Sequence, residues 1–277
     1  MNASLIDIGV NLTSKQFRED LPQVIARALG AGVRHMIVTG LTAPLSQQAL
    51  ELARSRPSDL ACTAGVHPHN AAGFGRHTQE QLRHLAQHRE VVAVGECGLD
   101  YDRDFSPRPD QRTAFEGQLE LAAELQKPVF LHQRSAHDDF SRILKNARPK
   151  LTGGVVHCFT GNALELESYL ELGLCIGITG FVCDERRGLH LRDLIERIPS
   201  DRLMVETDAP FLLPRDLKGV SGRRNEPAYL PHVAASVARY SGRSEADVRR
   251  DTTATAFELF GLAELFGQPR QQGAATR

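Results

Sequence analysis

The 277-residue sequence contains no tryptophan and only four tyrosines, and aromatic residues make up 6% of it. An extended aromatic platform for stacking nucleic-acid bases is therefore not expected. The longest apolar runs are no longer than GLCIGITG, far short of the roughly 20 residues that a membrane-spanning helix needs. The N-terminal stretch MNASLIDIGV has neither a basic start nor a long apolar core, so we expect no export signal and a cytoplasmic protein.

Neither sign of charge dominates, since 33 Lys and Arg residues oppose 34 Asp and Glu residues. A protein that binds nucleic acid along a wide surface is usually basic overall, so any nucleic acid must be bound by a local patch or through a cation. The five cysteines are scattered without a CxxC pair, which favours reduced thiols over disulfides. A hydrophobic fraction of 41% with almost no net charge excludes a disordered chain.

Short apolar or β-branched runs alternate with amphipathic helical stretches along the chain. We predict eight strands, at residues 4–10, 34–39, 61–66, 91–96, 128–132, 153–157, 174–179 and 203–207. We predict helices at residues 17–31, 44–56, 76–89, 109–126, 137–147, 162–173, 188–197, 229–241 and 244–263. Strands that alternate with helices pair in parallel, and eight such units match an α/β fold of the (β/α)8 TIM-barrel type. A doubly wound open sheet is the alternative, but no GxGxxG or GxxxxGK[ST] motif follows any strand.

The domain organisation follows from the same pattern. No Pro/Ser-rich linker divides the chain, so residues 1–265 are predicted to form a single barrel domain. The polar stretch at 266–277 is predicted to be a disordered tail. We expect a monomer.

The functional residues of such a barrel lie at the carboxyl ends of its strands. Polar side chains stand at these positions in five of the predicted strands, namely His67, His69, Glu96, Asp100, His132, Arg134, His157, Glu206 and Asp208. Imidazoles and carboxylates that converge on one axis form a ligand set for a divalent metal. Any one histidine could instead be a hydrogen-bonded structural residue. Glu96, which lies within an apolar strand, could instead pair with an arginine.

A second group of candidate functional residues is basic. The stretch RDLKGVSGRR at 215–224 holds four cations against one acid, and it follows the eighth strand. Arg134 follows the fifth strand, and Arg186 and Arg187 follow the seventh. Guanidinium groups at these places suit the recognition of phosphate oxygens, although the loop could also be an ordinary solvated segment.

Seven separated motifs occur in order across residues 4–263: TAGVHPH, VVAVGECGLD, PVFLHQRSAHDDF, GGVVHCFTG, GITGFVCDERRG, ETDAPFLLPRDL and RRNEP. They resemble the TatD family of metal-dependent deoxyribonucleases, and the start DIGVNLTSKQF resembles the branch that gives the family its name. The resemblance implies an amidohydrolase-like metal-dependent (β/α)8 hydrolase. It implies a metal-binding set consisting of Glu96, His132, His157 and Asp208. Asp208 would also orient the attacking water, and His67 would face the scissile phosphate.

The first strand departs from the family pattern. Many members begin with DxHxH, whose two histidines bind a metal, whereas this sequence has Gly9 and Asn11 at the corresponding positions. Gly9 offers no ligand atom, and Asn11 offers only an amide oxygen. A site with fewer nitrogen and more oxygen ligands favours Mg²⁺, or Mn²⁺, over Zn²⁺.

The resemblance leads us to expect a metal-dependent 3′→5′ exonuclease that prefers single-stranded DNA, with RNA as a further candidate substrate. Asp208 is the candidate general base, Glu206 would support the site or add a ligand, and the substrate phosphates would be bound by His67, Arg134, Arg223 and Arg224. One alternative is a D-aminoacyl-tRNA deacylase, or another ester or amide hydrolase that uses the same site. The other is a barrel that binds nucleic acid without catalysis; the missing first-strand histidines motivate it, and the intact metal-binding set argues against it.

Overall fold

The structure, a computed structural model, describes residues 4–220 and 222–267. Its sheet has eight parallel strands that pair in chain order. They are β1 (Leu5–Val10), β2 (Val33–Val38), β3 (Leu60–Ala64), β4 (Val91–Asp100), β5 (Val129–Arg134), β6 (Gly154–Val156), β7 (Cys175–Ile178) and β8 (Leu203–Val205). The eight predicted strands are therefore confirmed.

The first and last strands meet and bring the sheet close to a closed barrel. The backbone N–H of Asp208 donates to the carbonyl of Gly9 at 2.9 Å, and that of Asn11 donates to the carbonyl of Ala209 at 2.8 Å. The (β/α)8 barrel is thus confirmed, and the open doubly wound sheet is not what the chain forms.

Helices follow the strands and lie outside the barrel. They are α1 (Leu21–Gly30), α2 (Ala43–Ser55), α3 (Arg76–Ala86), α4 (Arg108–Leu125), α5 (His137–Ala147), α6 (Ala163–Glu171), α7 (Leu189–Ile195), α8 (Leu230–Ser241), α9 (Glu245–Phe260) and α10 (Ala263–Phe266). The predicted disordered tail began at residue 266, but Phe266 ends α10; residues 268–277 of that tail lie outside the described residues. Among the residues described, no helix has both the length and the apolar character needed to cross a membrane.

Helix α6 shows how the local sequence sets an element boundary. The Asn162 side chain accepts hydrogen bonds from the backbone N–H groups of Leu164 and Glu165, at 2.9 and 3.2 Å. The Glu165 carboxylate accepts one in return from the N–H of Asn162, at 2.8 Å. This reciprocal cap satisfies N–H groups that the first helical turn leaves without partners.

Two apolar clusters form the core. The larger one lies between the strands and the surrounding helices. The smaller one contains residues from all eight strands, among them Ile8, Phe130 and Met204, and so fills the barrel interior. Phe257 and Phe260 of α9 pack against this interior cluster, and Thr253 of α9 donates a hydrogen bond to the backbone just before β1. Helix α9 therefore closes the amino-terminal end of the barrel and leaves the carboxyl end for the site.

Candidate metal centre and catalytic site

Glu96 is the centre of a buried cluster of histidines. It lies within β4, 4% exposed, and its Oε1 atom is 3.2 Å from His67 Nε2, 2.8 Å from His132 Nδ1 and 2.7 Å from His157 Nε2. The three imidazoles come from the segments after β3, within β5 and after β6. The partners of the Glu96 carboxylate in the structure are thus histidines, and the arginine partner considered from the sequence is not observed.

The charges in this cluster depend on one another. Burial raises the pKa of Glu96, but the charge of His157 and the contacts with His67 and His132 outweigh this and hold that pKa well below its usual range. Burial lowers the pKa of His157, but the carboxylates of Glu96 and Glu206 raise it well above its usual value. His157 therefore carries a proton that a bound cation would displace, as metal binding to imidazole requires.

The two ring nitrogens of His132 lie in different surroundings. Its Nδ1 contacts Glu96, whereas its buried Nε2 has no hydrogen-bond partner. The Asp100 Oδ2 atom lies 3.4 Å from it, but the pair lacks hydrogen-bond geometry. A buried polar atom without a partner is costly, and native structures rarely keep one without a ligand. Imidazole nitrogens around a shared carboxylate are donors that suit a divalent metal, so the residues present fit such an ion.

His67 has its proton position fixed by its neighbour. The backbone N–H of His69 donates to His67 Nδ1 at 3.1 Å, so the ring proton of neutral His67 lies on Nε2, the atom that faces Glu96. Burial lowers the pKa of His67 to about 4. His67 is therefore a neutral hydrogen-bond donor directed into the site.

Asp208 stands directly above the end of β8. Its backbone has φ +54°, and its Oδ1 accepts a hydrogen bond from Asn11 Nδ2 at 2.9 Å. Burial raises the pKa of Asp208 to about 7, and the nearby carboxylates of Glu96 and Glu206 act in the same direction, against the opposing effects of His157 and Asn11. A carboxyl group with a pKa near 7 is suited to accept a proton at neutral pH.

Glu206 is fully buried below the histidines. Its Oε1 accepts a hydrogen bond from the backbone N–H of Cys158 at 2.6 Å, and its Oε2 lies 3.3 Å from His157 Nδ1. A carboxylate that binds the second nitrogen of a histidine fixes the orientation of that ring. Glu206 thus contacts the histidine cluster through His157.

Two polar residues of the first strand region contribute in ways that the sequence did not reveal. Asn11 was considered only as a weak metal ligand, but its amide donates to Asp208. Asp7 is fully buried; it accepts hydrogen bonds from the N–H and hydroxyl of Thr207, and burial raises its pKa to about 8. In the sequence, the feature that could have indicated this role is a carboxyl residue within the otherwise apolar run LIDIGV. Asp7 fixes the turn that presents Asp208.

The three predicted phosphate-binding arginines lie in different surroundings. Arg134 is half-buried at the end of β5, with its Nε 3.7 Å from Asp102. Arg223 is exposed in the loop after β8. Arg224 is already engaged: its guanidinium contacts Asp20 and Glu226, each at 2.7 Å, and lies over the Phe17 ring.

A basic cleft of about 780 Å³ lies between the loops that follow β7 and β8. Its charged lining consists of Asp184, Arg186, Arg187, Arg215 and Arg223. Asp184 is the shared partner of three of these arginines, with contacts of 3.0 to 3.8 Å. One carboxylate does not balance four guanidinium groups, so the cleft has a net positive charge beside the site.

A separate group of metal-ligand types lies under the loop after β8. His232 Nε2 contacts Asp216 Oδ1 at 2.7 Å, and Cys183 Sγ lies 3.3 Å from Ser236 Oγ. These groups have protein partners in the structure, and we assign no ion to them.

Proteins of similar sequence and fold identify the family. The TatD-related DNase family profile matches residues 6–261. The chain is 53% identical over 260 residues to the 3'-5' ssDNA/RNA exonuclease TatD of Pantoea sp. (strain At-9b), which covers 94% of this chain and 100% of that protein. It is similar to a TatD homologue from Escherichia coli K12, with a TM-score of 0.83, 31% identity and coverage of 93% of this chain and 98% of the other. It is also similar to an uncharacterized amidohydrolase from Saccharomyces cerevisiae, with a TM-score of 0.82, 26% identity and coverage of 93% and 100%. The chain belongs to the TatD family of DNases.

Proposed function

We propose that this protein is a divalent-metal-dependent exonuclease that removes nucleotides from the 3′ end of single-stranded DNA or RNA. The observation that carries the proposal is the buried Glu96 carboxylate in contact with three imidazoles, with the raised-pKa carboxyl of Asp208 beside it. The similarity to the 3'-5' ssDNA/RNA exonuclease TatD of Pantoea supports the polarity and the single-stranded substrates. The unpaired buried nitrogen of His132 supports the need for a metal.

The proposed ligands of the metal are Glu96, His132, His157 and Asp208. A divalent ion held there would acidify a water molecule and offset charge on the phosphoryl oxygens. We propose Mg²⁺, with Mn²⁺ as a substitute, because the first strand supplies no histidine and the Asn11 amide is directed to Asp208.

Three side chains of the site have further proposed roles in the reaction. Asp208, held by Asn11, accepts the proton of the attacking water. His67 donates from Nε2 to an oxygen of the scissile phosphate. Glu206 holds the His157 ring in place.

The substrate strand would continue along the positive side of the site. Arg223, which is exposed, and Arg134, which is half-buried, are the proposed phosphate contacts. Arg224 was predicted to share this role, but its two carboxylate partners favour a role in holding the loop. The net charge of the chain is -1, so the net positive charge of the cleft is a local feature. A localised positive cleft suits the binding of a strand end better than that of a long duplex.

We further propose that the protein acts as a monomer in the cytoplasm. The five cysteines are all free thiols, as a reducing compartment maintains them.

The test uses oligonucleotides of DNA and RNA labelled at the 5′ end, in single-stranded and blunt duplex form. We expect a ladder that shortens from the 3′ end, faster on single strands, abolished by a chelator and restored by Mg²⁺ better than by Zn²⁺. Asp208→Ala should be inactive, whereas Asp201→Ala, at an exposed site, should not differ from wild type. Shortening from the 5′ end, or activity that survives the chelator, would refute the proposal. Hydrolysis of D-aminoacyl-tRNA without any nuclease activity would favour the ester-hydrolase alternative.

A further inference from the structure

Phe105 exposes an aromatic ring beside the site. Among the described residues, Phe105 and Phe211 are the phenylalanines with strongly exposed side chains, at 68% and 51%. Both follow strands at the carboxyl end of the barrel, after β4 and β8. Leaving such a side chain in water forgoes the free energy of its burial, so an exposed phenylalanine at a site calls for an explanation.

Phe105 reaches the catalytic cluster through one intermediate ring. Its ring packs edge-on against His69, with 4.7 Å between the centroids, and His69 packs in the same way against His67 at 4.2 Å. His69 is itself fixed, because its Nε2 contacts Asp100 Oδ2 at 2.7 Å. The ring of Phe105 is therefore two ring-to-ring contacts away from His67, whose Nε2 faces Glu96.

The backbone on both sides of Phe105 is anchored. Ser106 is 1% exposed; its hydroxyl donates to the carbonyl of His69 and accepts from the N–H of Ala72. Asp104, on the other side, forms an ion pair with Arg108 at 2.7 Å. Phe105 is therefore not the end of a loose loop: its neighbours are held, and its ring alone is left in solvent.

We propose that Phe105 is a base-stacking residue that binds the base of a nucleotide next to the scissile phosphate and selects for unpaired strand ends. This inference rests on the proposed nuclease function. Stacking of a base on an aromatic side chain contributes about 1–3 kcal/mol and tolerates any sequence, since every base has a π face. Bases within a duplex are stacked on their neighbours, so a duplex end must unpair before a base can reach Phe105.

The test compares kcat/KM for single-stranded oligonucleotides that carry an abasic residue at the 3′-terminal or at the penultimate position. For the wild-type protein, one of these substitutions should lower kcat/KM by about 5- to 150-fold, the equivalent of the stacking free energy. Phe105→Ala should lower kcat/KM on the unmodified strand by a similar factor and should be insensitive to that abasic residue. Phe105→Trp should retain both the rate and the sensitivity. The preference for single strands over duplex should shrink in Phe105→Ala.

Leu164→Ala is the matched control, because Leu164 is 73% exposed but lies in α6. It should behave as wild type on every substrate. If Phe105→Ala cleaves all substrates as wild type does, the stacking role is wrong while the nuclease function stands. If wild type cleaves none of the strands in Mg²⁺, the nuclease function itself has failed.

Discussion

The carboxylate of Glu206 occupies the space that a side chain at position 9 would need. A Cβ atom added to Gly9 would lie 2.2 Å from Glu206 Oε2, and one added to Gly177 would lie 2.5 Å from Oε1. The carboxylate therefore sits between β1 and β7, below His157. The sequence suggested that Gly9 only removes a metal ligand, but the structure shows that position 9 must be small to admit Glu206.

We expect Gly9→Ala to disturb both folding and catalysis. The added methyl group would push Glu206 away from His157, and overpacking of this kind costs about 1–3 kcal/mol. Urea unfolding should show the lower free energy of unfolding, and kcat should fall because His157 loses its fixed orientation.

Gly30→Ala is the matched control, since an added Cβ at the end of α1 meets no atom within 4 Å. It should leave kcat unchanged. In the double variant Gly9→Ala with Glu206→Ser, the cost of the Gly9 substitution in unfolding free energy should largely disappear. Strictly additive costs would show that Gly9 and Glu206 do not compete for space.

The fold could be predicted because it depends on a repeated local pattern. Apolar runs separated by amphipathic stretches occur eight times, and strand ends must then share one side of the barrel. Boundaries were less accurate. Strand β4 was predicted to end at residue 96 but continues to Asp100, because Gly98 and Asp100 pair with β5.

Contacts between residues that lie far apart along the chain could not be predicted from the sequence. It placed Arg224 in a basic stretch, but its partner Asp20 is 204 residues away. The close packing of Glu206 against Gly9 likewise joins residues that are far apart along the chain. The ends of the strands do bring Glu96, His132 and His157 together as the pattern indicated; that these residues bind a metal stays a prediction.

We expect Glu96→Gln to abolish metal binding and most activity. The amide keeps the volume of the side chain but removes the negative charge of the carboxylate that the three histidines contact. We therefore expect kcat to fall by at least ~100-fold. Isothermal titration with Mn²⁺ should lose its heat of binding at the same time. Glu80→Gln, an exposed position on α3, is the control. Normal Mn²⁺ binding by Glu96→Gln would remove Glu96 from the proposed ligands.

Arg223 and Arg224 should differ in what their loss changes. Arg223→Ala should raise KM more than it lowers kcat, because a contact to a remote phosphate is similar in the ground and transition states. The effect should shrink as salt rises, since phosphate binding by arginine releases counterions.

Arg224→Ala should instead act on stability. It leaves Asp20 and Glu226 with Arg27 as their remaining cation, and we expect a loss of about 1 kcal/mol in unfolding free energy. Melting curves and kinetics on a single-stranded oligonucleotide at two salt concentrations separate the two roles. A salt-dependent rise in KM for Arg224→Ala at unchanged stability would show that Arg224 binds substrate phosphates after all.

The remaining prediction concerns His35, at the opposite end of the barrel from the site. Its ring is buried, stacked on Phe266 at 3.9 Å with Phe257 edge-on at 5.9 Å. Nδ1 donates to the carbonyl of Ser58 at 3.2 Å. Burial lowers the pKa of His35 from 6.5 to about 4, with the charge of Arg34 acting in the same direction.

A histidine kept neutral in the fold destabilises the protein in acid. Between pH 6.5 and 4 the unfolded chain binds a proton at His35 and the folded chain does not, so stability falls as the pH falls through this range. From pH 7 to pH 5 the loss due to this one group should be about 2 kcal/mol. Urea unfolding of the metal-free protein at both pH values should show a loss smaller by about that amount in His35→Gln than in wild type. His77→Gln, at an exposed position, should keep the wild-type pH dependence. An unchanged acid slope in His35→Gln would mean that the ring is protonated within the folded protein.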